Sequence, residues 1–309
     1  MDLSAISPAV LIASLMVAST PILLAALGEL VTERAGVLNL GVEGMMIIGA
    51  IAGFGAGIAT GSSLAGFAFA ALAGAALSLI FALLVLVLLA NQVASGLALT
   101  LFGLGLSALI GANFRELRGV RAEPLDIPLL KDIPFLGEAF FRHDFMVYLS
   151  ILLVIATWYV LTRTRAGLIL RAVGENHDAA HALGYNVRLI RLAAIAFGGA
   201  MAGLGGAYLT LVRIPQWTDG MTAGQGWIAL AIVVFASWKP LRLLVGAYLF
   251  GGISVLQINL QSAGVKIPVE YLSMSPYVIT ILVLVVISVR RGKGCTDAPA
   301  ALGQNFHAS

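Results

Sequence analysis

The polar stretch Gly28–Gly44 carries the side chains most able to do chemistry in an otherwise apolar part of the chain. It reads GELVTERAGVLNLGVEG and contains three glutamates, one arginine and one asparagine. Charged side chains are costly inside a lipid bilayer, where they pair with each other or mark the path of a solute or ion. Glu29 and Glu33 lie four residues apart, and Arg34 can reach either acid if the segment is helical. A cytoplasmic turn between two membrane-spanning helices accounts for these three residues.

The second half of this stretch is harder to explain as a turn, because it runs into the next apolar segment without a boundary. Asn39, Gly41, Glu43 and Gly44 all lie there. Irregular backbone at membrane depth is tolerated only where it is buried in protein or lines a cavity. Two interpretations follow: a simple turn, or a helix break from Gly36 to Gly44.

A similar pattern, Gly224-Gln225-Gly226, opens another apolar segment in the second half of the chain, and Glu43-Gly44 aligns with Gln225-Gly226. Interrupted helices at corresponding positions of two halves point to the solute site of a transporter. The pattern predicts an internal inverted repeat, with chance similarity between glycine-rich segments as the alternative. The residues predicted to line the solute path are Asn39, Gly41, Glu43, Gly44, Gln225 and Trp227.

The composition indicates an all-α polytopic integral membrane protein. Of the 309 residues, 60% are hydrophobic and only 11% are charged, and the mean hydropathy is +1.00. A helix of about 20 residues spans the hydrocarbon core of a bilayer, and apolar runs of that length recur throughout. The net charge of +3 is therefore assigned to loops rather than to a nucleic-acid-binding surface. About nine transmembrane helices are predicted, at 8–27, 38–60, 64–90, 95–113, 145–162, 193–213, 226–238, 243–262 and 276–289.

The predicted organisation is a single transmembrane domain at 1–292, followed by a cytoplasmic tail at 293–309. A polar outer loop is expected at 114–144 and a basic inner segment at 163–192. If all nine helices cross the membrane, Arg34, the basic segment and the tail lie on the same side. That side carries eleven of the 18 Lys and Arg residues. Because lysine and arginine are enriched in cytoplasmic loops, the carboxyl terminus is expected inside and the amino terminus outside. The first apolar run does not resemble a cleaved signal peptide.

A short helix is predicted within the basic segment. Asn176 is a suitable N-cap, HDAAHAL supplies about two turns, and Gly184 is a suitable C-terminal cap. A positively charged loop with an incidental helix is one interpretation, and a helix that docks on a partner protein is the other. His177 and His181 have a spacing that metal sites use, but only Asp178 lies nearby as a third ligand, so no metal site is expected.

No catalytic centre is expected in this chain. The sequence has no G-x-x-x-x-G-K-[ST] phosphate-binding motif, so the energy for transport must come from a partner or an ion gradient. An intramembrane enzyme would need convergent polar groups inside helices, whereas all the histidines fall in predicted loops or the tail. Cys295 is the single cysteine, which excludes an intramolecular disulfide. No cofactor is predicted for this chain.

Three motifs carry a resemblance to a known family: GELVTERAGVLNLGVEGMMIIGA, NQVASGLALTLFGLGLSALIG and RAVGENHDAAHALGYNV. They resemble the permease subunits of bacterial ABC importers that take up branched-chain amino acids and simple sugars such as ribose. The motifs ERAGVLNLGVEG and NQVASGLAL are most similar to the nucleoside-uptake branch of this family. The similarity to the family covers roughly residues 8–290.

This resemblance implies a multi-pass subunit of the bacterial inner membrane that imports a small polar solute, with nucleosides favoured over free bases and pentoses. It implies three kinds of partner: an ATP-binding cassette ATPase, a second permease (a sister subunit or a second copy) and an extracytoplasmic solute-binding protein docking on the outer loop. It also places the ATPase contact on one inner segment. The residues expected to couple the permease to the ATPase are Glu175, Asn176, His177, Asp178, Ala179, Ala180 and Gly184.

An ion-coupled secondary transporter is the alternative function. It would need an acid inside the helix bundle, and Glu43 is the credible candidate because the other acids lie at predicted helix ends or in loops.

Overall fold

The computed structural model describes residues 8–125, 133, 135–262 and 297–307, together with six single positions from 271 to 285. Two π-helical turns, Leu83–Val87 and Leu209–Arg213, extend the third and ninth helices. The helices are α1 (Pro8–Arg34), α2 (Val42–Thr60), α3 (Ser63–Ala82), α4 (Gln92–Gly111), α5 (Leu136–Phe140), α6 (Phe145–Arg163), α7 (Arg165–Glu175), α8 (His177–Ala182), α9 (Val187–Tyr208), α10 (Gln225–Phe235) and α11 (Pro240–Ser262).

Within the described ranges, seven helices are long and apolar enough to cross a membrane. They are α1, α2, α3, α4, α6, α9 and α11, which confirms the predicted all-α polytopic membrane fold. Helix α10 has 11 residues, so it is too short to span a bilayer alone. Ten of the fourteen residues of the predicted helix at 276–289 lie outside the described residues, and the number nine stays a prediction.

Helix α9 forms the centre of the bundle, where it packs against α1, α2 and α3. Glycines allow these helices to approach closely. A Cβ added at Gly49 would meet the backbone of Gly203, and one added at Gly206 would meet the carbonyl of Met46. Small residues at such crossings let helix backbones come into van der Waals contact, which drives helix association in lipid.

Three predicted helix boundaries are wrong by several residues. Helix α1 continues to Arg34 rather than ending at 27, α2 begins at Val42 rather than 38, and α9 begins at Val187 rather than 193. The polar residues at these ends are buried in protein; Glu29 and Glu33 are each 1% exposed and Arg191 is fully buried. Because these side chains find partners inside the protein, their polarity does not mark the end of a helix.

The loops gather at two ends of the bundle. At one end, named here the Arg34 end, Arg34 Nε donates to the Trp238 carbonyl at 3.1 Å and Ala301 N donates to the Gly174 carbonyl at 2.9 Å. At the other, the outer-loop end, Gly119 N donates to the Pro215 carbonyl at 3.0 Å. The connections rich in lysine and arginine, which the sequence analysis assigned to one side of the membrane, thus meet at the Arg34 end. Which compartment each end faces stays a prediction.

Candidate solute path and coupling surface

The connection between α1 and α2, residues 35–41, is non-helical and mostly buried. Side chains from neighbouring helices hold its backbone. Asn39 N donates to Glu29 Oε1 at 3.1 Å, and Leu38 N donates to Gln92 Oε1 at 2.9 Å. Irregular backbone inside a helix bundle is stable when its polar groups are paired in this way.

The helix break predicted from Gly36 to Gly44 is therefore present, but it is shorter than predicted. It ends at Gly41, because α2 begins at Val42 and Gly44 lies in the first turn of that helix.

Helical spacing puts Glu29 and Glu33 within reach of Arg34, but the guanidinium group bonds elsewhere. Arg34 Nε and Nη2 donate instead to the carbonyl of Trp238, at 3.1 and 3.0 Å. Trp238 Nε1 in turn donates to Glu33 Oε2 at 2.5 Å. The tryptophan after α10 thus links both polar residues at the end of α1, and so fixes α10 against α1.

Glu43 joins the start of α2 to the start of α10. Its Oε1 accepts hydrogen bonds from the Thr222 hydroxyl at 2.5 Å and from Gly224 N at 2.8 Å, and its Oε2 accepts from Gly226 N at 2.6 Å. A carboxyl group here satisfies N–H groups that have no partner within the first turn of α10. A Cβ on Gly226 would lie 2.5 Å from Glu43 N, so only glycine permits this approach. The two polar-glycine patterns aligned in the sequence therefore touch each other.

The other predicted path residues differ in how accessible they are. The Asn39 side chain accepts a hydrogen bond from Gly41 N at 2.9 Å and is fully buried. Gln225 Oε1 is buried without a hydrogen-bond partner, and Trp227 is 48% exposed. Among these residues, Gln225 therefore keeps a carbonyl oxygen without a partner, and Trp227 keeps an exposed aromatic ring. Contact of the whole set with a solute stays a prediction.

The predicted short helix is present as α8, His177–Ala182, and a second helix that was not predicted, α7, precedes it. The Asn176 side chain accepts from Ala179 N at 2.9 Å at the start of α8, and Gly184 has a φ of +89° after its end. Glu175, Asp178 and Ala179 are exposed, whereas His177 and Ala180 are buried. Leu183 is 77% exposed at the tip. Helix α8 thus presents one face to solvent and one to the protein.

The two histidines of α8 lie against an aromatic ring. The Phe306 ring centroid lies 5.5 Å from that of His177 and 5.2 Å from that of His181. Burial lowers the pKa of His177 below its ordinary value, and the neighbouring Arg191 lowers it further. Its neutral imidazole accepts from Arg191 Nη2 through Nδ1 at 3.2 Å. In the part of the chain that the structure describes, no three His, Cys, Asp or Glu residues are placed to hold a metal ion.

Arg191 and the segment Asp297–His307 are the features that sequence reasoning missed. Arg191 was counted only as a loop charge, and the segment only as part of a tail. In the structure Arg191 Nε donates to the Ala35 carbonyl at 3.1 Å and Nη1 donates to the Gln304 carbonyl at 2.9 Å. The position of Arg191 in the first turns of an apolar helix was the available signal, since such a cation needs buried acceptors.

Two adjoining cavities, of about 450 and 360 Å³, open at the outer-loop end. Among the described residues, both are lined by Val17, Arg142, His143 and Arg213. Asp144 lies beside them and accepts from the Tyr208 hydroxyl at 2.8 Å. Burial raises the pKa of its carboxyl group above the ordinary value.

Residues 11–287 match the family model described as the permease component of the branched-chain amino acid transport system. Because the match covers most of the chain, the protein belongs to this family of ABC transporter permeases. No solved structure matches the chain.

Three similar proteins share almost the whole length of the chain. A protein of Haloferax volcanii, provisionally named a glucose ABC transporter permease, is 41% identical over 94% of this chain and 95% of its own. A nucleoside ABC transporter permease of Lactococcus lactis is 34% identical over 96% of each chain. A guanosine ABC transporter permease of Bacillus subtilis is 35% identical over 95% of each chain.

Proposed function

We propose that this chain is the transmembrane permease subunit of an ATP-driven importer of nucleosides. The observation that carries the proposal is the similarity, over nearly the full length, to two permeases named for nucleoside and guanosine transport, at 34% and 35% identity. The buried helix starts at Glu43 and Gln225 agree with it, because half-helix ends inside a bundle are where transporters hold small solutes. Trp227 offers an aromatic face on which a base can stack.

The motor is a separate ATP-binding cassette subunit. The chain has no phosphate-binding motif for ATP, so ATP and Mg²⁺ bind to that partner. The ATPase docks on the Arg34 end, at Glu175–Gly184, where α8 turns an exposed face outward. Leu183 at 77%, Leu189 at 60% and Tyr185 at 39% exposure supply apolar contacts for it.

Two further partners complete the importer. A second permease, either a sister subunit or another copy of this chain, forms the other half of the transmembrane unit. A solute-binding protein docks outside the membrane on the outer loop, near the cavities that Arg142 and Arg213 line. In this arrangement the amino terminus lies outside and the tail lies in the cytoplasm of a cell whose plasma membrane holds the complex.

Glucose is the second candidate solute, because the relative with 41% identity is provisionally named for glucose. Both solutes are neutral and rich in hydroxyl groups, so the same kinds of polar contact can guide either one. The discriminating difference is the flat base of a nucleoside.

The secondary-transporter alternative is weakened by the bonding of Glu43. Both of its carboxyl oxygens accept hydrogen bonds from Thr222, Gly224 or Gly226. A coupling acid must exchange its ion with solution during each cycle, and this carboxyl group instead holds two helices together.

Uptake of labelled guanosine and labelled glucose by cells expressing the complete importer tests the proposal. We expect ATP-dependent accumulation of guanosine that other nucleosides compete for and that an excess of glucose leaves unchanged. Accumulation of glucose instead would move the assignment to the sugar branch. Uptake that survives ATP depletion but collapses with an uncoupler would establish the secondary transporter.

A further inference from the structure

The segment Asp297–His307, named here the carboxyl-terminal strap, lies across the Arg34 end and bonds to three separate connections. Ala301 N donates to the Gly174 carbonyl at 2.9 Å, at the end of α7. Gly303 N donates to the Gly36 carbonyl at 3.2 Å, between α1 and α2. Asn305 Nδ2 donates to the Leu89 carbonyl at 2.7 Å, between α3 and α4. A segment of eleven residues (297–307) thus ties together loops that are distant in sequence.

The strap also holds the inner face of α8. Phe306 is 5% exposed and forms a small apolar cluster with Val173, Ala180 and Val187. Its ring lies against both histidines of α8, as described above. Helix α8 has only six residues, and a helix this short depends on tertiary contacts for its stability. The strap supplies some of those contacts through Phe306.

Arg191 connects the strap, α8 and the non-helical connection 35–41 through one guanidinium group. Its three nitrogens bond to the Ala35 carbonyl, the Gln304 carbonyl and His177 Nδ1, at 3.1, 2.9 and 3.2 Å. A guanidinium is planar with its donors in a fixed fork, so these three groups cannot shift independently while the bonds hold. The side chain is fully buried, which shields the bonds from water.

A second polar contact runs from the strap to the same connection. Gln92 Nε2 donates to Asn305 Oδ1 at 3.1 Å, while Gln92 Oε1 accepts from Leu38 N at 2.9 Å. The connection 35–41 leads directly into Glu43, which holds the start of α10 through Gly226. The bonds are therefore continuous from α8, through the strap and Arg191, to the predicted solute path.

We propose that the carboxyl-terminal strap and Arg191 are the mechanical link that transmits movement of α8 to the connection 35–41 and so to the starts of α2 and α10. The proposal rests on the proposed function, in which an ATPase moves α8. Arg191 and Phe306 act as positioning residues: they touch neither ATP nor solute. An element that both sites displace is a physical means of coupling them across a distance.

The test measures ATP hydrolysed per solute molecule imported, in proteoliposomes containing the complete importer. Phe306→Ala removes the ring against α8, and Asn305→Ala removes the bonds to Leu89, Ala90 and Gln92. We expect ATP hydrolysis to continue in both variants while uptake falls, which raises the ratio about fivefold or more, the lower end of ordinary coupling between sites.

The matched control is Gln304→Ala. Among the described residues, the Gln304 side chain bonds only to the Ala300 carbonyl within the strap, at 3.2 Å, and its backbone carbonyl still accepts from Arg191. We expect this variant to keep the wild-type ratio of ATP hydrolysed to solute imported. An unchanged ratio in both Phe306→Ala and Asn305→Ala, or a parallel loss of hydrolysis and uptake with lowered thermal stability, would overturn the link. A wild-type importer without ATP-driven uptake would instead contradict the proposed function.

The link also predicts that its bonds persist through the transport cycle. Hydrogen exchange of the Ala301 and Gly303 amides in the wild-type importer should stay equally slow with and without ATP. Rapid exchange of both amides during ATP turnover would show that the strap opens, and it would then not be a rigid link.

Discussion

At the scale of single residues, the unexpected feature is how Glu43 is used. The sequence places a glutamate among glycines at the start of a helix, which fits a residue facing a solute as well as one facing a neighbouring helix. In the structure the side chain is 3% exposed and accepts hydrogen bonds from Thr222, Gly224 and Gly226. The glutamate therefore fixes the position of α10, and contact of Gln225 and Trp227 with a solute stays a prediction.

The variant Glu43→Gln tests this assignment. An amide has only one oxygen, so a donor from the first turn of α10 would face the amide NH₂ group. Leaving a buried donor unpaired costs about 1–3 kcal/mol. We expect a clear loss of thermal stability in detergent, larger than that of Thr222→Val, which removes a single donor. Unchanged stability with weakened solute binding would show that Glu43 lines the path instead.

At the scale of helices, the glycines decide how α2, α3 and α9 cross. Gly49 and Gly53 lie four residues apart, as do Gly199 and Gly203; this spacing predicts close helix packing but does not say which helix faces meet. In the structure the backbone of Gly203 lies against both Gly49 and Ala70, and Gly199 lies against Gly74. By contrast, a Cβ added at Gly105 in α4 would meet nothing within 4 Å.

This contrast gives a matched pair of variants, Gly203→Ala and Gly105→Ala. Adding one methyl group at Gly203 forces α3 and α9 apart, and overpacking of this kind costs about 1–3 kcal/mol. The same change at Gly105 has free space around it and replaces glycine with a better helix former. We expect a lower melting temperature and less folded protein for Gly203→Ala alone, measured by size-exclusion chromatography of heated samples. Equal behaviour of the two variants would contradict the packing described here.

At the scale of the whole molecule, the loops divide between two ends of the bundle. The Arg34 end gathers the connection 35–41, helices α7 and α8, and the carboxyl-terminal strap, whereas the outer-loop end gathers residues 112–125 and 214–219. Lys239 and Asp297 form an ion pair at the Arg34 end, at 3.4 Å. The excess of lysine and arginine at the Arg34 end predicts that this end faces the cytoplasm.

Labelling of single cysteines tests the orientation. In a Cys295→Ser background, Leu117→Cys and Leu183→Cys place a thiol on residues that are 43% and 77% exposed, at opposite ends of the bundle. We expect a membrane-impermeant maleimide to label Leu117→Cys in intact cells and Leu183→Cys only in inverted vesicles. The reverse pattern would place α8 outside and exclude its contact with a cytoplasmic ATPase.

The sequence by itself determined the class of fold. The thickness of the bilayer's hydrocarbon core sets the length of a spanning helix, and apolar runs of that length can be read directly from the sequence. The sequence also determined the local features that depend on near neighbours, such as the Asn176 cap and the turn at Gly184. The partners of buried polar groups were decided only by tertiary structure. Glu43 bonds to residues about 180 positions away, and Arg191 reaches Ala35 and Gln304 across separations of 156 and 113 residues. No local pattern encodes such pairs, since each forms only when distant helices come together.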